Sequence, residues 1–312
     1  LTPAYAIVVA LVSALFFALT DFSLRKGLQH STPDMGALVS VAAQWVAYTV
    51  IIGVAGGFSG LTGVGFGWFF LTGIMTPGLF LIFFMIGIQR IGVARTAPIK
   101  GSGPIITAIL AFFFLGEHLK GLQYFGIILA VGGIIIISAE GLSRVAEAAA
   151  VAPPSAAGGT GNPRPEGSPP KTLDFLFPLL AGIAGACGSV LYKLSLEKMP
   201  SPLLGVWVTT TTGLLMYPFL GFFFPPGRRF GVRWPGVPWL VLSGLIAAAA
   251  VYGMALAFHL GQVSIVFTLI QTSPLMVILL SFLFLRRLER ITPKLVFGAC
   301  LTVGGGILAG LF

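Results

Sequence analysis

Runs of about 20 apolar residues follow one another along nearly the whole chain, and a helix of that length at 1.5 Å rise per residue crosses about 30 Å of hydrocarbon. Ten runs are read, over roughly 3–22, 35–56, 66–88, 93–115, 121–139, 174–194, 202–224, 236–260, 264–285 and 292–311. They are continuously apolar instead of alternating, which excludes an amphipathic β-barrel. The expected fold class is therefore all-α and integral to the membrane, with ten transmembrane helices. Composition agrees: 56% hydrophobic residues against 9% charged ones, with 27 phenylalanines, leave too little polar surface to cover a soluble fold of 312 residues. The first run is too long for a secretory h-region and follows no basic residue, so it is read as a span.

The chain also repeats itself. FLGEHLKGLQYFGIILAVGG returns as LRRLERITPKLVFGACLTVGGG, so that Glu117, Gly126, Gly132 and Gly133 reappear 172 positions on as Glu289, Gly298, Gly304 and Gly305. Ser23, Leu24 and Lys26 match Ser195, Leu196 and Lys198, while Trp68, Gly73 and Pro104 match Trp239, Gly244 and Pro274. Between the copies, PPSAAGGTGNPRPEGSPP is too poor in apolar residues to offset its ordering entropy, and residues 140–173 are read as a flexible tether. The copies are then 1–139 and 174–312, with five spans in each. An odd number of crossings sends the second copy into the membrane from the opposite side, giving inverted repeats and two equivalent packings that open a shared cleft to either face.

Basic residues test the orientation. Loops after spans one, three, five, seven and nine hold 14 Lys or Arg, the other loops hold Lys120, Lys193 and Lys198, and Lys100 lies within span four. By the positive-inside rule the rich loops are cytoplasmic and both termini lie outside. These residues account for the net charge of +9 as headgroup anchors, and no motif that reads bases accompanies them, so no nucleic-acid partner is expected.

In each copy a fourth helix bearing Gly and Pro leads through a short Glu-containing link to a fifth helix with G-x5-GG. That arrangement resembles the EamA type of the drug/metabolite transporter superfamily, and the resemblance covers nearly the whole chain. The first copy carries Pro104, LAFFFLGE ending at Glu117, Gly126 and Gly132; the second departs with Arg286 and Arg287 before Glu289. The resemblance implies transport of a small solute without naming it, and ten-span members are usually described with both termini in the cytoplasm, opposite to the charge count.

Polar groups inside hydrocarbon are expensive and mark function. Lys100 is the leading candidate, because Thr96, Lys100, Gly103 and Thr107 fall at i, i+4, i+7 and i+11 of one helical face, and its ammonium suits a carboxylate or phosphate. Span nine offers Ser264, Thr268, Gln271 and Thr272 beside Pro274, whose missing donor frees a carbonyl. Span two adds Ser40, Gln44 and Tyr48, span six Ser189 and Tyr192, and span eight Tyr252 and His259. The substrate-binding set expected is Lys100, Thr96, Thr107, Gln44, Tyr252, Thr268 and Gln271, with His259 and Asp21 as candidates for proton coupling. The structural alternatives are a snorkelling lysine, interhelical bonds from Ser, Thr and Gln, and an interfacial histidine.

Asp21 and Lys193 are symmetry mates, which inversion sets near opposite membrane faces. Glu117 and Glu289 are read as caps or interface partners, and Gly126, Ala130 and Gly133 with Gly298, Thr302 and Gly305 as small-residue faces joining span five to span ten, or a dimer contact. Cys187 and Cys300 are packing residues inside spans, GLTGVGFGW lacks the strand and Lys-Ser/Thr of a phosphate loop, and no metal, cofactor or hydrolase constellation is expected. The reading is a secondary carrier in the cell membrane, monomeric or homodimeric, moving an amino acid or related metabolite outward by alternating access. The alternatives are a flippase for a lipid-linked substrate and a membrane scaffold that transports nothing.

Overall fold

Helix succeeds helix throughout the described residues of this computed structural model, which are 3–91, 96, 99, 101–151, 172–223, 234–273, 275–276 and 293–311, and no strand occurs among them. The first half contains α1 (Pro3–Leu28), α2 (Pro33–Val54), α3 (Gly63–Gly73), α4 (Phe80–Ile91), α5 (Gly103–Leu115) and α6 (Gly121–Val151). The second contains α7 (Leu176–Lys198), α8 (Pro202–Phe223), α9 (Val237–Leu260), α10 (Val263–Ile270) and α11 (Pro293–Leu311). Five segments among the described residues are long and apolar enough to cross a bilayer: Ala4–Leu28, Met35–Val54, Gly63–Gly87, Leu173–Lys198 and Trp234–Leu260.

Three boundaries differ from the sequence expectation, each for a local reason. Span three is broken where Thr76 adopts φ −142°, ψ 116°, because the ring of Pro77 disfavours the helical conformation of the residue before it. Span four is not one helix: Gly101 and Ser102 form a turn before α5, and Pro104 stands in the first turn of α5, where its missing N–H would be unbonded anyway. The third concerns the tether, since α6 continues to Val151 and residues 140–151 are helical. Their Ala, Glu, Leu and Arg are strong helix formers. Pro274, all of 277–292 with Glu289 in it, and the Pro/Gly-rich 152–171 lie outside the described residues.

Contacts come in matching pairs when the halves are exchanged. Helix α1 packs along α9 as α7 packs against α3 and α4; α2 meets α9 as α8 meets α3; α5 meets α7 as α10 meets α1. Helices α2 and α8, and α6 and α11, pair with one another. Small residues make these approaches close. Along α1 every fourth residue, Ala6, Ala10, Ala14 and Ala18, is buried, and a Cβ on Gly261 would stand 2.7 Å from that of Ala6. Ser13 in the same helix donates through Oγ to the carbonyl of Ala250.

The glycine faces of α6 and α11 pack backbone to backbone, as their spacing predicts: a Cβ on Gly126 would lie 2.6 Å from Ala309 N, and one on Gly133 would strike Thr302 and the Gly298 carbonyl. Gly132, one residue away, has nothing within 4 Å of such an atom. Gly133→Ala is therefore expected to lower stability by about 1–3 kcal/mol through overpacking. Gly132→Ala is expected to stay within about 0.5 kcal/mol of the parent, which thermal unfolding in detergent resolves.

Candidate functional site

The break in span three and a run of glycines in α7 are complementary. A Cβ on Gly188 would sit 2.7 Å from that of Thr76, and one on Gly213 of the neighbouring α8 would sit 2.5 Å from Pro77 Cγ, so bare backbone admits the bent segment. Thr76 Oγ1 in turn donates to the carbonyl of Ala184 at 3.2 Å. Beside this joint opens a cavity of about 240 Å³, midway along the bundle. Its walls come from both halves: Phe17 of α1, Gln44 of α2, Thr72 of α3, Phe80 of α4 and Gly103 of α5 on one side. Gly185, Ser189 and Tyr192 of α7, Thr210 of α8, Met254 and Phe258 of α9, Phe267 of α10 and Gln271 at its end complete it.

The surface is mostly rings and glycine. Among the described residues no Asp, Glu, Lys, Arg or His lines it. Most of its hydroxyls are already engaged: Thr72 Oγ1 donates to Trp68 O at 2.9 Å, Ser189 to Gly185 O at 2.9 Å, Thr209 to Gly205 O at 3.1 Å, and the Tyr192 hydroxyl to Pro202 O at 3.1 Å. Gln44 Nε2 donates to the Tyr48 hydroxyl at 3.2 Å, which itself donates to Ala248 O at 2.9 Å. Because that hydroxyl has given its only proton away, the amide nitrogen of Gln44 must face it, and Gln44 Oε1 is left to the cavity.

Of the substrate-binding set expected from sequence, Gln44 and Gln271 line the cavity. Lys100 lies outside the described residues. Thr107 and Thr268 are fully buried and bond back along their own helices, to Gly103 O at 3.1 Å and Ser264 O at 2.8 Å. Thr96 is also fully buried, and the turn at Gly101 and Ser102 separates it from Thr107, so the four-residue stripe does not run along one helix. Tyr252 and His259 do share a face of α9, but it is the exposed one; Val251, Met254 and Phe258 turn to the cavity instead. Asp21 is likewise exposed on α1 and off the cavity. Ser189 and Tyr192 line it as anticipated, whereas Thr72, Thr76, Thr209 and Thr210 were not singled out.

Ionic groups gather at the ends of the bundle. Between α9 and α10 the chain turns sharply at Gly261 and Gln262, leaving carbonyls at the end of one helix and N–H groups at the start of the next. Lys193 Nζ donates to Phe258 O at 2.6 Å and Gly261 O at 3.0 Å. The carboxylate of Glu117, only 9% exposed, accepts from Val263 N at 2.6 Å, Ser264 N at 3.2 Å and Ser264 Oγ at 2.7 Å. Each charge meets the helix end of opposite polarity. Since Ala6 near the start of α1 abuts Gly261, Asp21 stands 15 residues of helix away, about 22 Å at 1.5 Å per residue, so no bridge joins it to Lys193. Arg90 pairs with buried Asp174 at 3.0 Å, and Lys26 lies 4.3 Å over the Trp239 ring.

The sequence model of the EamA-like transporter family matches residues 4–139 and 173–311. A Sinorhizobium protein named "Uncharacterized transporter in cobO 3'region" is 26% identical over 132 residues, 41% of this chain and 93% of its own length. An uncharacterised transporter of Synechocystis is 34% identical over 73 residues, which span 23% of this chain and only 22% of that relative. A Pseudomonas fluorescens protein named "Probable 4-amino-4-deoxy-L-arabinose-phosphoundecaprenol flippase subunit ArnE" is 28% identical over 72 residues, 23% of this chain and 62% of its own. A solved crystal structure superposes with a TM-score of 0.73 over 98% of both chains at 16% identity, a likeness of fold.

Glu117→Ala strands two buried N–H groups, each costing about 1–3 kcal/mol when unbonded. Thermal unfolding in detergent is expected to show a loss of that order, with Glu117→Gln, which keeps an acceptor, falling between variant and parent.

Proposed function

The chain belongs to the EamA-like transporter family, a multi-pass membrane protein, and we propose that it is a secondary carrier for a small organic solute, working by alternating access in the cell membrane. One observation carries the reading: a cavity midway along the bundle, walled by both halves and offering polar groups in apolar surroundings. We take the two halves as five-span repeats of inverted topology. The paired contacts support this, as does the meeting of the start of α1 with the Gly261 turn that Lys193 of α7 holds. Rocking one half against the other would open the cavity to each face in turn, and outward movement of an amino acid or related metabolite is the cargo and direction adopted.

Gln44 and Gln271 are assigned to cargo contact; Lys100 stands as the candidate counter-charge for an anionic solute, and Thr96, Thr107 and Thr268 as framework beneath the walls. His259, in the last turn of α9, and Asp21, on the exposed face of α1, are both off the cavity and are assigned to coupling. A lipid-linked flippase is the second reading, favoured by the short match to the Pseudomonas protein, and it requires the cavity to open sideways between helices.

Purified protein in liposomes loaded with a cell metabolite extract is expected to release a subset of that pool faster than empty liposomes; release indistinguishable from controls, with or without a pH gradient, contradicts the carrier. His259→Asn and Asp21→Asn are expected to abolish gradient-driven accumulation while sparing counterflow, and unchanged accumulation removes them from coupling.

A further inference from the structure

Helices α2 and α8, from opposite halves, hold each other by one pair of bonds made twice. Trp45 Nε1 donates to Thr211 Oγ1 at 2.9 Å, and that hydroxyl donates to Trp207 O at 2.7 Å. Trp207 Nε1 donates to Thr49 Oγ1 at 2.9 Å, and that hydroxyl donates to Trp45 O, also at 2.9 Å. The four residues close a ring that uses both indole N–H groups and both hydroxyl protons, so this seam asks nothing of the lipid. Each helix carries Trp-x3-Thr, which sets the two side chains one turn apart on one face. The helices run antiparallel, 45 meeting 211 where 49 meets 207. Gln44 and Thr210, the residues just before Trp45 and Thr211, line the cavity.

The seam of α6 on α11 is reciprocal too. A Cβ on Gly126 would stand 2.7 Å from Gly305 O, and one on Gly305 2.5 Å from Gly126 O. A Cβ on Gly133 would stand 2.5 Å from Gly298 O, and one on Gly298 3.1 Å from Gly133 O. These glycines are repeat mates 172 residues apart, so exchanging the halves carries the contact onto itself. The Trp-x3-Thr motifs stand 162 apart, which places their ring about one helical turn from the point where that exchange leaves α2 and α8 in register. The joint at Thr76 differs: its bond to Ala184 O has no counterpart, because the residue 171 positions on is Ala247, inside the unbroken helix α9.

We infer that these two seams mark the line about which the bundle rocks, with Trp45, Thr49, Trp207 and Thr211 as its pivot beside the cavity. The inference rests on the carrier reading. Two access states of a carrier with inverted halves differ by an exchange of the halves' conformations, so a contact common to both must have its own mate present in each. The glycine seam meets that condition residue by residue. Rotation displaces an atom in proportion to its distance from the axis, so hydrogen bonds persist through it only when they lie close by, as the Trp–Thr ring does. Parting α2 from α8 sideways would strand two indole donors in hydrocarbon, with no water to replace the hydroxyls they lose.

The test uses a Cys187→Ala, Cys300→Ala background in liposomes. Spin labels on Val50→Cys and Leu215→Cys, both exposed, report the α2–α8 seam. Labels on Val64→Cys and Gln262→Cys report the end of the bundle where α3 begins and α9 turns into α10. The seam pair is expected to give one narrow distance distribution, and the end pair two populations whose balance shifts when a metabolite extract is added. A seam pair that splits along with the end pair, or an end pair as narrow as the seam, overturns the inference. Thr49→Cys with Trp207→Cys, joined by a bifunctional thiol reagent as long as the indole it replaces, is expected to keep counterflow of the extract within about twofold of the unlinked protein, whereas a loss of about tenfold overturns it. Trp45→Phe with Trp207→Phe is expected to broaden the seam distribution and slow counterflow about fivefold, and an unchanged width removes the ring as pivot. Should that double variant not purify as a single species, Trp45→Phe alone carries the comparison. No solute moved, with two populations at the end pair and one at the seam, contradicts the carrier and leaves the pivot standing; solute moved while the seam parts does the reverse.

Discussion

Hydrocarbon offers no hydrogen-bond partner to a bare peptide group, and the breaks among the described helices are arranged around that fact. Continuous helices satisfy themselves. Where the chain departs from helix, at Thr76, at Gly101 and Ser102, and at Gly261 and Gln262, a side chain supplies a bond. Thr76 bonds Ala184, Ser102 Oγ bonds Ile99 O at 2.7 Å, and Lys193 and Glu117 close the two sides of the turn at Gly261. Lys193 and Glu117 are thus engaged with backbone, and neither is among the described walls of the cavity.

Breaks and cavity belong together. A straight third span would press against α7 along its whole length; bent at Thr76, it seats against Gly188 and opens space beside Gly185. Glycine serves both purposes in α7, admitting a close neighbour at one turn and leaving room at the next. The Glu117 contact also crosses between the halves, from the link before α6 to the head of α10, so closing that end of the bundle and positioning Phe267 in the wall are one structural event.

Much of this was legible in the residues. An all-helical membrane fold and the glycine faces of α6 and α11 follow from length and spacing alone, because lipid requires long apolar helices and small side chains let backbones touch. Gln44 and Gln271 stood out as amides in apolar surroundings. Periodicity correctly joined Tyr252 to His259 but had no means of saying which face of α9 looked inward. Pro77 and Pro104 were visible, yet a proline in a membrane helix is often absorbed without a break, and whether it is depends on the neighbours that receive the freed groups. Thr210 lies inside a run of four threonines, and only three-dimensional structure shows that Thr209, Thr211 and Thr212 bond back along α8 while Thr210 lines the cavity.

The central claim is that one cavity between two opposed halves faces each side of the membrane in turn. Its most direct test replaces Cys187 and Cys300 with Ala, introduces Ser189→Cys in the cavity wall, and applies a membrane-impermeant thiol reagent from one face and then from the other. The account predicts that the cysteine reacts from either face and that cargo slows both reactions; reaction from one face alone during active transport, or from neither, contradicts it.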